Sequence, residues 1–227
     1  MPTAFEARQG LIDLTAIAQR DLRAIWDRIA DLPADEIRDI LMEILPAIGD
    51  EYGSAAAALA ADWYDEAREA AEATGSFRAA PAKPVTPKRW EALTRWGVDP
   101  LYSATPDTDA ALTLILGGLQ RTVADRHRLT IVDNSIHDPE ASGWTRVGVG
   151  ENCDFCTMLI GRGAVYTEAS VTFRSHDHCN CAASPSWAKN VVKISGEPFR
   201  QSKRNRSDAT KAKDNARAKE WIAANLH

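Results

Sequence analysis

No run of about 18 apolar residues occurs in the chain, so no segment reads as a membrane-spanning helix. The N-terminus carries Glu6 and lacks a basic stretch followed by an apolar one. That argues against a secretory signal and for folding in a cytoplasm. There is no excess of positive charge: the net charge is -5, which gives no global argument for nucleic-acid binding. No Gly-x-Ser-x-Gly elbow is present to expose a nucleophilic serine. Cysteine is scarce, with 4 in 227 residues, and all lie between Cys153 and Cys181. In a reducing compartment such clustering favours metal ligation over disulfides.

What is present is an ordinary globular composition, 44% hydrophobic and 26% charged, long enough to bury a core. Phe5, Leu11, Leu14, Ile17, Ala18, Leu22, Ile25, Trp26 and Ile29 recur at helical spacing. Pro33 opens a second helix, with Ile37, Ile40, Leu41, Ile44 and Leu45 as its stripe. Pro46 is expected to break or kink it, because proline removes a backbone donor and its ring crowds the preceding turn. An alanine-rich helix then runs from about Ala47 to Ala73, with Asp62, Asp65, Glu66, Glu69 and Glu72 on a solvated face and Gly75 as its stop.

Residues 1–77 thus read as an N-terminal helical region. Residues 78–88 hold Pro81, Pro84 and Pro87 and read as an extended, semi-rigid linker. Residues 89–139 form a helical segment: a short helix over Lys88–Trp96, then a longer one capped by Asp107 or Thr108 that reaches about Asn134. Gly117-Gly118 inside it marks a close helix contact or a bend. Residues 140–190 form a small β module, with strands over Trp144–Val149, Val171–Arg174 and Asn180–Ala183 and a short helix over Cys153–Ile160. Residues 191–227 are a basic irregular segment and a terminal helix. The fold class is α+β, mainly helical with a small C-terminal zinc-binding β module.

The chemistry concentrates in Glu151-Asn-Cys-Asp-Phe-Cys156 and His176-Asp-His-Cys-Asn-Cys181. A Cys-x2-Cys turn aims two thiolates at one point, and a second group of thiols and imidazoles completes a tetrahedron, as in a structural zinc site. Cys153, Cys156, His176 and Cys179 are the favoured ligands, because His-x2-Cys closes on one ion from a single turn. Cys181 and His178 are the alternates. Buried thiols or disulfides would use the same residues without a metal.

These residues carry a resemblance. Trp144-Thr-Arg-Val, Cys153-Asp-Phe-Cys156, Gly161-Arg-Gly-Ala-Val-Tyr166 and His176-Asp-His-Cys179-Asn-Cys181 resemble the C-terminal part of MuF-like phage minor head proteins, over residues 120–187. The resemblance implies a structural minor capsid protein of head morphogenesis. Such a protein is oligomeric in the virion and touches the portal and other head proteins. Similar chains of the actinobacteriophage type also carry the label capsid maturation protease.

A protease needs a nucleophile and a base within reach, for which Ser135, His137 and His127 are the candidates. A ββα-metal nuclease would use His178 after Asp177, but no second Cys-x2-Cys or following helix signature appears. The residues favour a structural role over either enzyme. The basic run Arg200, Lys203, Arg204 and Arg206 reads first as a solvated face and second as a contact to packaged DNA through phosphates.

Overall fold

A computed structural model describes residues 4–148, 152–161, 163, 165–167, 173, 181–189, 193–194, 207, 209 and 216. Among these residues five α-helices and four short strands follow in chain order: α1 (Ala4–Ile29), α2 (Ala34–Ala70), α3 (Pro87–Gly97), a 3-10 turn (Asp99–Tyr102), α4 (Thr108–His137), β1 (Gly143–Val147), α5 (Asp154–Gly161), β2 (Val165–Tyr166), β3 (Ala182–Ser186) and β4 (Lys193–Ile194). The class is α+β, mainly helical. None of the helices among the described residues is long and apolar enough to cross a membrane.

Leu11, Ala18, Leu22, Trp26 and Ile29 are the buried stripe of α1. Phe5 and Ile17, which belong to the same apolar series in the sequence, lie on its exposed face. Helix α2 does not stop at Pro46 but runs unbroken for 37 residues. Tertiary packing holds both sides of the proline: Leu41 and Leu45 are fully buried before it, and Gly49 meets α3 after it. A Cβ on Gly49 would stand 2.0 Å from Trp90 Cη2, so only glycine lets that indole lie against the helix. The two helices expected around Pro46 are therefore one. Its end comes at Ala70, and Glu72 rather than Gly75 takes the first left-handed conformation, with φ 55°.

Helix α4 is the axis of the molecule and is buried around most of its circumference, as a helix packed on several sides must be. Asp107 caps it, its side chain accepting from the Ala110 N–H at 2.8 Å. The Gly117-Gly118 pair serves a close contact, since a Cβ on Gly118 would stand 2.2 Å from Leu93 Cδ1 of α3. Leucines, isoleucines and alanines of α1 to α4, with Trp26 and Trp90, form one hydrophobic core, to which residues on both sides of the proline-rich segment contribute.

That segment is extended, as its prolines require, and it is strapped along α4. Ala80 N–H donates to Asn134 Oδ1 at 2.9 Å, and Asn134 Nδ2 donates back to the Ala80 carbonyl at 2.8 Å. Ala82 N–H donates to Thr130 Oγ1 at 3.0 Å, while Arg126 Nη2 donates to the Ala82 carbonyl at 3.1 Å.

The strands form one sheet in the order β3-β1-β2-β4, with β1 antiparallel to both neighbours and β4 parallel to β2. Trp144 of β1 pairs with Tyr166 and Pro185, and Arg146 pairs with Ala183. Alternation along β1 puts Trp144 and Arg146 on the same buried face. Strand β3 covers Ala182–Ser186, shifted toward the C-terminus from the expected Asn180–Ala183, and the two-residue strand β2 was not expected. The strand expected over Val171–Arg174 lies outside the described residues, apart from Phe173.

Candidate functional site

Cys153 sits just before α5 and Cys156 in its first turn. The Cys156 N–H points back to Cys153 Sγ at 3.4 Å, so the start of α5 folds the Cys-x2-Cys into a chelate-like turn. Cys181 directly precedes β3, and its sulfur lies 3.2 Å from Cys156 Sγ. Cys156 and Cys181 are buried and Cys153 is half-buried; no disulfide joins the three.

Two arginines hold this cluster. Arg146 Nη1 lies 2.9 Å from Cys181 Sγ and 3.8 Å from Cys156 Sγ. Its guanidinium lies over the Phe173 ring, Cζ to centroid 3.8 Å. Arg128, from α4, donates through Nε and Nη2 to the Cys181 carbonyl, each at 3.3 Å, and through Nη1 to Asp125 Oδ1 at 3.1 Å. Trp144 closes the wall, its ring centroid 4.6 Å from Tyr166 and 5.6 Å from Phe173. A guanidinium beside a sulfur favours the ionised, metal-binding form, whereas a dry, aromatic surrounding opposes it.

Of the six Cys/His groups singled out in the sequence, the structure brings Cys153, Cys156 and Cys181 together; His176, His178 and Cys179 lie outside the described residues. Among the described residues no group of three or more His, Cys, Asp and Glu side chains stands arranged to hold a metal ion. The basic residues Arg200, Lys203, Arg204 and Arg206 also lie outside the described residues, as does Asp177. Arg146, Arg128 and Phe173 complete the cluster without having been singled out. The signal for Arg146 was available: it is two residues from Trp144 on an alternating strand, so burial of one implies burial of the other.

The candidate protease groups do not meet. Ser135 is buried and donates to the Ile131 carbonyl at 2.7 Å. His137 is exposed, its Nδ1 2.6 Å from the Asp133 carbonyl oxygen. Two residues apart on one helix, they face different ways. His127 is buried, and neither ring nitrogen finds a partner among the described residues. Burial, reinforced by the charges of Arg128 and Arg8, lowers its pKa to about 3, so it is a neutral interior group at physiological pH.

Below the cluster, Asp138 ties the sheet to the helices. Its Oδ2 accepts from Arg68 Nε at 3.0 Å, Trp187 Nε1 at 3.2 Å and Tyr64 Oη at 3.3 Å. Burial, then the Asp138 charge, pushes the Tyr64 phenol far above its usual range.

These features define a helical α+β protein with a buried thiol cluster at the junction of sheet and bundle. The chain matches the VG15 protein family over residues 3–205 and belongs to that family, which is viral. No curated protein and no solved structure matches the chain.

Proposed function

We propose that this viral protein is a structural, minor component of a tailed-phage head. In this reading it works through contacts with the portal and other head proteins, and zinc fastens residues 140–190. Membership of a viral family and the MuF-like pattern of motifs support the particle assignment. The observation that carries the structural role is the burial of the thiol cluster: Cys156 and Cys181 face inward onto Arg146, where a group fastens the fold and no substrate reaches it. Zinc suits the residue types of this segment, because it takes cysteine sulfur and histidine nitrogen as ligands. The separation of Ser135 from His137 gives the protease reading no described dyad to rest on. The basic residues Arg200, Lys203, Arg204 and Arg206 would add contacts to packaged DNA phosphates, without sequence preference.

Quantifying the chain against portal protein in purified virions and in proheads tests this. A low, fixed stoichiometry in either particle is expected, and absence from both overturns the reading. Phage carrying Ser135→Ala or His137→Ala should process its capsid protein normally. Loss of that cleavage, with the variant still incorporated, would establish the protease instead.

A further inference from the structure

We propose that Cys156 and Cys181 are an oxidation site: a disulfide-forming pair that is oxidised by a small-molecule disulfide through Cys153 and, once joined, fastens α5 to β3. The pair does not rest on the zinc reading. The two cysteines are 25 residues apart in the chain, yet their sulfurs lie 3.2 Å apart. A disulfide bond is about 2.05 Å long, so the sulfurs need to approach by only about 1.2 Å. Three elements build the contact. Cys156 lies in the first turn of α5, Cys181 stands directly before β3, and Arg146 of β1 reaches both sulfurs, at 3.8 and 2.9 Å. Packing leaves the two side chains little room to part, since Cys156 is 1% and Cys181 0% exposed.

Burial also sets the route. An oxidant in solution does not meet Cys156 or Cys181 directly. Cys153 is half-buried and begins the same turn, with the Cys156 N–H donating to its sulfur at 3.4 Å. Its thiolate attacks one sulfur of a disulfide R–S–S–R, whose S–S bond breaks and releases one R–S⁻. The Cys156 sulfur then attacks Cys153 Sγ and expels the second R–S⁻, which leaves Cys153 joined to Cys156. The Cys181 sulfur attacks Cys156 Sγ and expels the Cys153 thiolate, which is thereby restored. Two protein thiols are oxidised and one R–S–S–R is reduced to two R–SH, the protons of Cys156 and Cys181 passing to the two leaving thiolates. In a reducing cytoplasm the pair stays as thiols, and the oxidising surroundings of a released particle close it. That timing, unlike the pair itself, rests on the head reading.

Oxidised glutathione is the probe, added to the reduced full-length chain with a chelator present. Non-reduced peptide mapping of the wild type should find Cys156 joined to Cys181 as the main product. The joined chain should melt about 5–10 °C above the reduced one. Cys153→Ser should reach the same product about 10-fold more slowly, because the oxidant has lost its accessible sulfur. Cys179→Ser should change neither product nor rate. The wild-type map needs no variant, so it decides even where a substituted chain does not fold. Free Cys156 and Cys181 after prolonged oxidation, or a main product that pairs either of them with Cys153 or Cys179, overturns the pair. Equal rates in Cys153→Ser and the wild type overturn the route, and an unchanged melting midpoint overturns the fastening. Particles quenched with an alkylating agent test the timing: the pair should be free in proheads taken from cells and joined in released virions. Thiols still free in virions overturn that timing. Absence of the chain from both particles overturns the head reading and leaves the glutathione result standing.

Discussion

Helices α1 to α4 meet mainly over leucine, isoleucine and alanine, with Trp26 and Trp90 among them, whereas the sheet and α5 meet over Trp144, Tyr166, Phe173, thiols and the guanidinium of Arg146. The helical region has long elements and aliphatic burial, and each buried methylene contributes roughly 0.8 kcal/mol with no demand on its neighbours' chemistry. Among the described residues the sheet region has two strands of five residues and two of two residues, short elements that gain little from backbone pairing alone. It depends instead on specific pairs: ring on ring, cation on ring, guanidinium on sulfur, carboxylate on guanidinium. Aliphatic packing tolerates substitution that preserves volume, but a paired buried charge tolerates the loss of neither partner. The sheet region should therefore fail first and at few positions, and the helical region last and at many.

The largest expected effect lies at the joint between them. Asp138 has no exposed side-chain surface, and it holds Arg68 of α2 and Trp187 beyond β3 at once. Asp138→Ala leaves the Arg68 guanidinium buried without its carboxylate, a loss of about 3–5 kcal/mol. Urea unfolding read by tryptophan fluorescence should show that loss, and Arg68→Met combined with Asp138→Ala should recover part of it. A single-variant loss below about 1 kcal/mol would mean that the joint is ordinary surface and the contrast drawn above is wrong.

Local chemistry made much of the helical region legible. Asp107 announced a cap, Pro87 lies in the first turn of α3, and the periodicity of Leu11, Ala18, Leu22 and Trp26 marked the buried face of α1. What was not legible depended on partners far along the chain. Nothing near Pro46 says that Trp90 and Leu41 will hold α2 together across it, and nothing in residues 78–88 says that Thr130 and Asn134 will receive their amides. Strand β2 is too short to show alternation. In the thiol cluster the spacing left Cys179 and Cys181 as competitors, because residues two apart share a face of a strand. The contact of Cys181 with Cys156 joins the start of β3 to α5 across 25 residues of chain, which no local pattern fixes.

A smaller effect separates the two regions by pH. His127 lies on α4, which both regions share, and its pKa falls from 6.5 to about 3 through burial and then through Arg128 and Arg8. The unfolded chain takes up a proton near pH 6.5 that the folded chain refuses until about pH 3, so the unfolded state binds more protons throughout that window. Stability is thus fully present above the upper limit and is lost as pH falls through the window, by about 1.4 kcal/mol per pH unit. Between neutral pH and about pH 4 the wild type should lose roughly 3 kcal/mol more than His127→Leu does. Equal losses in the two proteins would show that the imidazole charges freely in the folded state.

The smallest effect belongs to the strap, whose backbone amides at Ala79, Ala80 and Ala82 donate to side chains of α2 and α4. Asn134 makes a reciprocal pair with Ala80 and also donates to the Thr130 carbonyl at 2.7 Å. Asn134→Ala removes the pair, but Ala80 is exposed and water replaces what is lost, so the net cost is about 1 kcal/mol, the usual worth of such a bond. Global stability is a blunt reader of so small a change; local opening is a sharper one. Arg78 stands at the start of the strap with its side chain 82% exposed, a ready site for trypsin once the backbone lifts away. When opening is fast relative to cutting, cleavage follows the open population, and about 1 kcal/mol raises that population roughly fivefold. Cleavage after Arg78 should therefore quicken about fivefold in Asn134→Ala, while the tryptophan signal of the sheet region persists. Unchanged cleavage would mean that Asp65 and Thr130, which receive the amides of Ala79 and Ala82, hold the segment without Asn134.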